Sequence, residues 1–141
     1  MTQIAFDEIL RRLTEAEAQF VVIGGLALGA RGVVRATKDV DVVIASGPAN
    51  LKRVAEVAVA AGGHVQQGDA LLGRLDVVQG LDGVPSYEEL RSRASEAEVL
   101  GVSVAVCSVE DLRAMKRAAG RTRDLADLED LEAALSPPPN D

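Results

Sequence analysis

The chain has 141 residues, a length that suits one domain whose core needs neither disulfides nor a structural metal. Its 15 basic and 22 acidic residues give a net charge of -7, which argues against extended nonspecific binding to nucleic acid or to an anionic membrane surface. Hydrophobic residues make up 48% of the chain and aromatic residues only 2%, so the core must be aliphatic.

The first half of the chain alternates helical and strand-like patterns. Residues 6–17 place four apolar side chains at helical spacing among charged ones, which predicts an amphipathic helix. FVVIGG, residues 20–25, predicts a buried strand that ends in glycines, and the short apolar LALGARG after it predicts a brief helix. DVDVVI, residues 39–44, is the next predicted strand, and residues 49–61 carry the apolar stripe of another helix.

The second half begins with further strand signals. ALLGRLDVVQG, residues 70–80, is a strand candidate, and residues 87–93 predict a short polar helix. AEVLGVSVAVCS, residues 97–108, predicts two strands or one hairpin around Gly101.

Two helices are predicted near the end of the chain. Ser108 suits the N-cap of a helix over residues 109–119, because Asp111 follows three residues later as in a capping box. Thr122 can cap the last helix, residues 123–135.

These elements predict one domain of the α/β (α+β) class over residues 1–136, with a small mixed sheet flanked by helices. Residues 137–141 form a Pro-rich tail. The longest apolar run, residues 20–30, is too short to span a bilayer, and the beginning of the chain lacks a basic region followed by an apolar one. We therefore expect a cytoplasmic protein with no membrane contact.

Two carboxylates stand close together in a strand-like segment. Asp39 and Asp41 are two residues apart, and side chains alternate across a strand, so both face the same side of the sheet. Like charges on one face repel each other unless a cation lies between them. Asp76 repeats the pattern in GRLDVVQ, and three carboxylates converge if the two strands are neighbours.

Three oxygen donors on rigid strands suit Mg²⁺, which completes its shell with water and substrate phosphate. Two such ions can clamp an in-line displacement, with Asp76 taking the proton of an incoming hydroxyl. A charged edge strand would explain Asp39 or Asp41 singly, but not both together with Asp76.

The glycine pair Gly24-Gly25 ends one predicted strand and opens a short helix. Backbone N–H groups at such a turn can approach phosphate oxygens. Taken alone, the pair is better explained as a tight turn from strand to helix. The acidic strand that follows makes the combination more specific.

VIGGLALGARGVVRATKDVDVVI resembles the minimal nucleotidyltransferases of the DNA polymerase β-like superfamily. The resemblance consists of Gly24-Gly25, a 13-residue spacer, Asp39-Val40-Asp41 and the later Asp76. VCSVEDLRAMKRAAGRTRDLADLEDL looks like the closing segment of the branch that contains the AbiEii-type toxin nucleotidyltransferases. The resemblance therefore covers nearly the whole chain.

By this resemblance, the metal-binding and catalytic residues would be Asp39, Asp41 and Asp76, at a site that holds two Mg²⁺ ions. The residues that would bind the nucleotide are Gly24, Gly25, Thr37, Lys116 and Arg121. The implied reaction moves a nucleoside monophosphate from an NTP to a hydroxyl of RNA, protein or a small molecule, in the setting of a toxin–antitoxin system. A homodimer is left open.

The sequence departs from the family at one position, because many relatives have Ser where this chain has Gly25. A second interpretation is therefore a nucleotidyltransferase fold that has lost catalysis and acts as a regulatory or antitoxin partner. The acidic triad favours the enzyme. For Arg121 and Asp124, ordinary ion pairs at a helix junction are the simpler explanation. A dinucleotide-binding oxidoreductase fails because the glycines do not fit G-x-G-x-x-G.

Overall fold

The structure is a computed structural model, and it describes residues 6–34, 36–37, 39–60, 64–66, 69–72, 75–78 and 80–136. The predicted tail, residues 137–141, lies outside these ranges. None of the described helices has both the length and the apolarity that crossing a membrane requires.

Helices and strands alternate over residues 6–60, after which strands and helices also occur in consecutive groups. The helices are α1 (Phe6–Glu15), α2 (Gly24–Ala30), α3 (Pro48–Ala60), α4 (Tyr87–Arg93), α5 (Val109–Ala119) and α6 (Thr122–Leu135). The strands are β1 (Phe20–Ile23), β2 (Val40–Ile44), β3 (His64–Gln66), β4 (Asp69–Leu72), β5 (Leu75–Val77), β6 (Ser95–Val99) and β7 (Val102–Val106).

The described strands form one mixed sheet in the order β3-β4-β5-β2-β1-β7-β6. β2 is parallel to β5 and β1 is parallel to β7, whereas the other neighbouring pairs are antiparallel. The predicted class, a mixed sheet flanked by helices, is confirmed. β2 lies at the centre of the sheet, so its polar residues are held between neighbours on both sides.

The buried core is aliphatic apart from Phe20 and Cys107, as the composition predicts. α1 buries the apolar stripe Ile9, Leu10 and Leu13, which its helical spacing predicts. Burial of each such side chain contributes about 1.5–3 kcal/mol to folding. This core supports β1 and β2, the strands that carry the candidate site.

The prediction of one strand over residues 70–80 is wrong, because the segment forms β4 and β5, which pair antiparallel with Leu71 opposite Asp76. The nearly continuous apolar pattern of residues 70–80 does not show where β4 ends and β5 begins. The hairpin around Gly101 is confirmed. Leu100 and Gly101 have φ values of 51° and 82°, the left-handed pair that a two-residue hairpin turn requires.

The helix caps agree with the sequence at α5 and differ at α6. The Ser108 hydroxyl accepts a hydrogen bond from the Asp111 amide at 3.1 Å, as the capping box predicts. Thr122, however, is the first residue of α6, and Arg121 is its N-cap. The reason is that the Asp124 carboxylate accepts a bond from the Arg121 amide at 3.2 Å, which starts the helix one residue earlier.

Candidate active site

The glycine pair lies at the junction of β1 and α2. The antiparallel pairing of β1 with β2 sets Ile23 opposite Asp41, so the junction adjoins the acidic strand. Gly24 has a φ of 67°, and a side chain there would collide with the Asp41 carboxylate. Gly24 is therefore required by its backbone conformation and by the close approach of Asp41.

Gly25 lies against Thr37 in the loop that precedes β2. A Cβ atom at position 25 would be 2.7 Å from the Thr37 Oγ1 atom and 2.9 Å from its Cβ atom. The Thr37 hydroxyl donates a hydrogen bond to the Asp39 carbonyl at 3.0 Å, which ties this loop to the start of the acidic strand. Thr37 thus fills the space beside Gly25 that a larger residue at position 25 would need.

Gly25→Ala should destabilise the protein by about 1–3 kcal/mol, the usual cost of forcing extra atoms into a filled space. Gly29→Ala in the same helix is the matched control, since a Cβ atom at Gly29 meets nothing within 4 Å. The control should be neutral or more stable by up to about 1 kcal/mol, because Ala favours helix more than Gly does. Urea denaturation of both variants measures the difference, and equal midpoints would contradict the crowding by Thr37.

The carboxylates of Asp41 and Asp76 meet across two parallel strands. Asp41 of β2 is the register partner of Asp76 of β5. Burial raises the pKa of Asp41 to about 6, with further contributions from the charges of Asp76 and Asp39 and from a hydrogen bond with Asp76. The positive charge of Lys116 acts in the opposite direction. The ionised form of Asp41 is therefore disfavoured, first by burial and then by the neighbouring carboxylates.

Asp39 and Asp41 line a cleft with a volume of about 230 Å³. The other charged residues of its lining are Lys116 and Asp127, together with Arg121 and Arg123, and Gly24, Gly25 and Thr37 complete the wall on the α2 side. Asp76 is not among the described residues that line this cleft, although it contacts Asp41 from the neighbouring strand. The structure thus brings the predicted site residues together, with Asp76 set behind Asp41.

The carboxylate oxygens of this cleft are the type of donor that binds divalent cations such as Mg²⁺. Among the residues that the structure describes, no three His, Cys, Asp or Glu side chains are arranged to hold a metal ion as they stand. The carboxyl groups of Asp41 and Asp76 share a hydrogen bond. Burial is the largest cause of the raised pKa of Asp41, and the neighbouring carboxylates of Asp76 and Asp39 raise it further. Carboxylate oxygens are the donors that Mg²⁺ prefers.

A buried ion cluster joins α5 to α6 on the opposite side of the cleft. The Lys116 ammonium donates to Asp127 at 2.8 Å and to Asp124 at 3.3 Å. Both carboxylates are almost fully buried, with 1% of each residue exposed. Arg121 Nε donates to Asp124 at 2.7 Å, and this bond is the largest cause of the lowered pKa of Asp124, with smaller contributions from Lys116.

Arg123 lies outside the residues that the sequence predicts for the site, yet it lines the cleft. The available signal is the spacing in GRTRD, where Arg121 and Arg123 flank Thr122 at the start of a helix. Arg121 can be carried over from the family resemblance, whereas Arg123 requires knowledge of where α6 begins relative to the sheet.

The fold and the paired acidic strands define a nucleotidyltransferase-like domain, and sequence comparison agrees. Residues 3–135 match the family described as nucleotidyltransferases of unknown function, DUF6036. The chain belongs to this family, and the protein is a nucleotidyltransferase. Comparison with curated proteins gave no match. The resemblance to the AbiEii-type branch stays a prediction.

Solved structures share the fold at low sequence identity. The solution structure of the antibiotic-resistance factor ANT(2'')-Ia has 18% identity and a TM-score of 0.66, covering 91% of this chain and 80% of that one. The crystal structure of ANT(2'')-Ia in complex with adenylyl-2''-tobramycin has 15% identity and a TM-score of 0.51, covering 92% and 96%. An antigenic nucleotidyltransferase-like protein from Paracoccidioides brasiliensis has 18% identity and a TM-score of 0.58, covering 94% and 78%.

Proposed function

We propose that the protein transfers a nucleoside monophosphate from an NTP to an acceptor hydroxyl with the help of Mg²⁺. The observation that carries the proposal is the register match of Asp41 with Asp76, beside a cleft whose lining combines the carboxylates of Asp39 and Asp41 with basic residues of α5 and of the start of α6. Asp39 and Asp41 would hold the metal together with Asp76. When bound, Mg²⁺ would neutralise phosphate charge and orient the α-phosphate.

The residues of the cleft have separate tasks in this proposal. The N–H groups of Gly24 and Gly25 would approach phosphate oxygens, and the Thr37 hydroxyl would do so by giving up its hydrogen bond to the Asp39 carbonyl. Lys116 and Arg121 would stabilise the negative charge of the nucleotide. Because Gly25 has no side chain, Thr37 is the hydroxyl group nearest to the glycine turn among the residues lining the cleft.

The reaction needs one bond formed and one broken. The acceptor oxygen attacks the α-phosphorus, its proton passes to Asp76, and the bond from the α-phosphorus to the bridging oxygen breaks. Pyrophosphate leaves with the bonding electron pair. Asp76 contacts Asp41 and is not among the described residues that line the cleft, so its role as this base requires its carboxylate to reach the acceptor from beside Asp41.

The acceptor that we propose is a small molecule with a hydroxyl group. One solved structure with a similar fold, that of ANT(2'')-Ia, contains adenylyl-2''-tobramycin, an adenylylated small molecule. The net charge of -7 disfavours RNA as the acceptor. A role in a toxin–antitoxin system and a cytoplasmic location remain proposals that rest on the sequence.

Mg²⁺ with the preferred NTP should raise the thermal midpoint of the protein, by the equivalent of about 2.7 kcal/mol at a hundredfold excess over the dissociation constant. Each of the four NTPs is tested with Mg²⁺ and with EDTA. Pyrophosphate release is then followed with an aminoglycoside, with tRNA and with protein as acceptors. Absence of any Mg²⁺-dependent NTP binding would refute the proposal, and binding without release under any condition would favour the noncatalytic alternative.

A further inference from the structure

The cations of the cleft differ in whether a carboxylate already compensates their charge. Lys116 is paired with Asp124 and Asp127, and its side chain is only 15% exposed. Arg121 is paired with Asp124. Among the described residues, these two cations face two buried carboxylates. Lys116 and Arg121 can therefore contact a nucleotide only in competition with the carboxylates that already bind them.

Arg123 lines the same cleft without such compensation. Its residue is exposed, and within the described part of the chain it forms no hydrogen bond or ion pair. It is the second residue of α6, where the helix dipole disfavours a cation by about 0.3–1 kcal/mol. Arg123 is therefore not placed there for the stability of the helix, and a negatively charged ligand explains its position better.

We propose that Arg123 binds the β- and γ-phosphates of a nucleoside triphosphate in the cleft and thereby favours triphosphates over monophosphates. This inference rests on the proposed function, since it concerns the nucleotide of that reaction. It adds Arg123 to the site. The paired cations Lys116 and Arg121 would hold the cleft together, whereas Arg123 would recognise the β- and γ-phosphates.

The positions of the cleft residues support different contacts for the α-phosphate and for the β- and γ-phosphates. The α-phosphate reacts beside Asp39 and Asp41, because these carboxylates would hold the metal. The β- and γ-phosphates would extend from that point along the cleft, whose lining includes Arg123 at the start of α6. A guanidinium group donates two parallel hydrogen bonds to a phosphate, a geometry that the lysine ammonium cannot reproduce.

Arg123→Gln tests the inference by binding, independently of the unknown acceptor. The probes are the α,β-methylene analogues of the four NTPs and the corresponding monophosphates, each titrated by calorimetry with Mg²⁺. Arg123→Gln should weaken binding of the preferred triphosphate analogue by about tenfold and of its monophosphate by less than about twofold. Arg123→Lys should recover part of the loss, because it keeps the charge without the fork.

Arg117→Gln is the matched control, since Arg117 is exposed in the last turn of α5 and does not line the cleft. Its triphosphate affinity should stay within about twofold of the parent. The unliganded Arg123→Gln variant should melt at the same temperature as the parent or slightly higher, because the unfavourable helix-dipole interaction is removed.

The outcomes separate this inference from the proposed function. If the parent binds none of the four analogues with Mg²⁺, both fail. If the parent binds one of them and Arg123→Gln binds it equally well, the role of Arg123 alone is refuted. Equal losses for triphosphate and monophosphate would also overturn it, because Arg123 would then contact the α-phosphate or the nucleoside.

Discussion

Asp41→Asn is expected to abolish nucleotide transfer and to make the metal-free protein more stable. The substitution keeps the shape of the side chain but removes one charge from the carboxylate set that would hold Mg²⁺. It also removes the charge that is disfavoured by burial and by the nearby charges of Asp76 and Asp39, the effects that raise the pKa of Asp41. Loss of activity accompanied by a gain in stability is the signature of a functional rather than a structural carboxylate.

The stability gain should depend on pH. The pKa of Asp41 rises from 3.8 to about 6 on folding, so its favourable contribution to folding is present below pH 3.8 and is lost as pH rises through 6. The full shift corresponds to about 3 kcal/mol, and partial exposure of the side chain reduces this to about 1–2 kcal/mol. Asp41→Asn should therefore exceed the parent in stability at pH 7 in EDTA and lose that advantage below pH 4.

Urea denaturation in EDTA at pH 7 and at pH 4, together with a transfer assay, measures both effects. Asp130→Asn on the exposed face of α6 is the matched control for loss of one carboxylate and should change neither stability nor transfer appreciably. A variant at position 41 that keeps the Mg²⁺-dependent response of the parent to NTP would show that this carboxylate does not bind the metal.

The helices and the acidic strand can be predicted because their signals are local. The stripe of α1, the Ser108 cap of α5 and the Asp39-Val40-Asp41 alternation depend on residues within a few positions of one another. The division of residues 70–80 into β4 and β5 is not predictable in the same way, since the pairing of Leu71 with Asp76 is specified by contacts with the rest of the sheet.

The candidate site is only partly predictable from the sequence for the same reason. The alignment of Asp41 with Asp76 follows from the parallel pairing of β2 and β5, and a shift of one residue would turn Asp76 to the other face. The cleft contact of Arg123 depends on where α6 begins, which the Asp124 bond to the Arg121 amide sets one residue before the predicted cap. These features are tertiary, and no local pattern encodes them.

Lys116→Met should destabilise the protein by about 3–5 kcal/mol, the usual cost of removing one partner from a buried ion pair. The ammonium bonds to Asp124 and Asp127, and both residues are 1% exposed, so water cannot replace the lost ammonium, although Asp124 would keep its bond to Arg121. Because a domain of this size has a total stability of about 5–15 kcal/mol, the variant should lose much of its folded population on mild heating. Urea denaturation measures the loss.

The matched control is Lys52→Met, which removes the same charge from an exposed pair with Glu56 at 3.9 Å, with side chains 78% and 66% exposed. That loss should stay below about 1 kcal/mol. Similar losses in the two variants would contradict the buried role of Lys116.

A second substitution separates the structural role of Lys116 from the nucleotide contact that the family resemblance implies. Lys116→Met combined with Asp127→Asn removes both members of the 2.8 Å ion pair, so it should recover part of the lost stability through a favourable coupling of about 1–3 kcal/mol. If the double variant folds but binds NTP with Mg²⁺ as tightly as the parent, Lys116 only holds α5 against α6. If it folds and binds NTP weakly while Asp127→Asn alone binds normally, the ammonium also contacts the nucleotide, because the only remaining difference is the missing positive charge in the cleft.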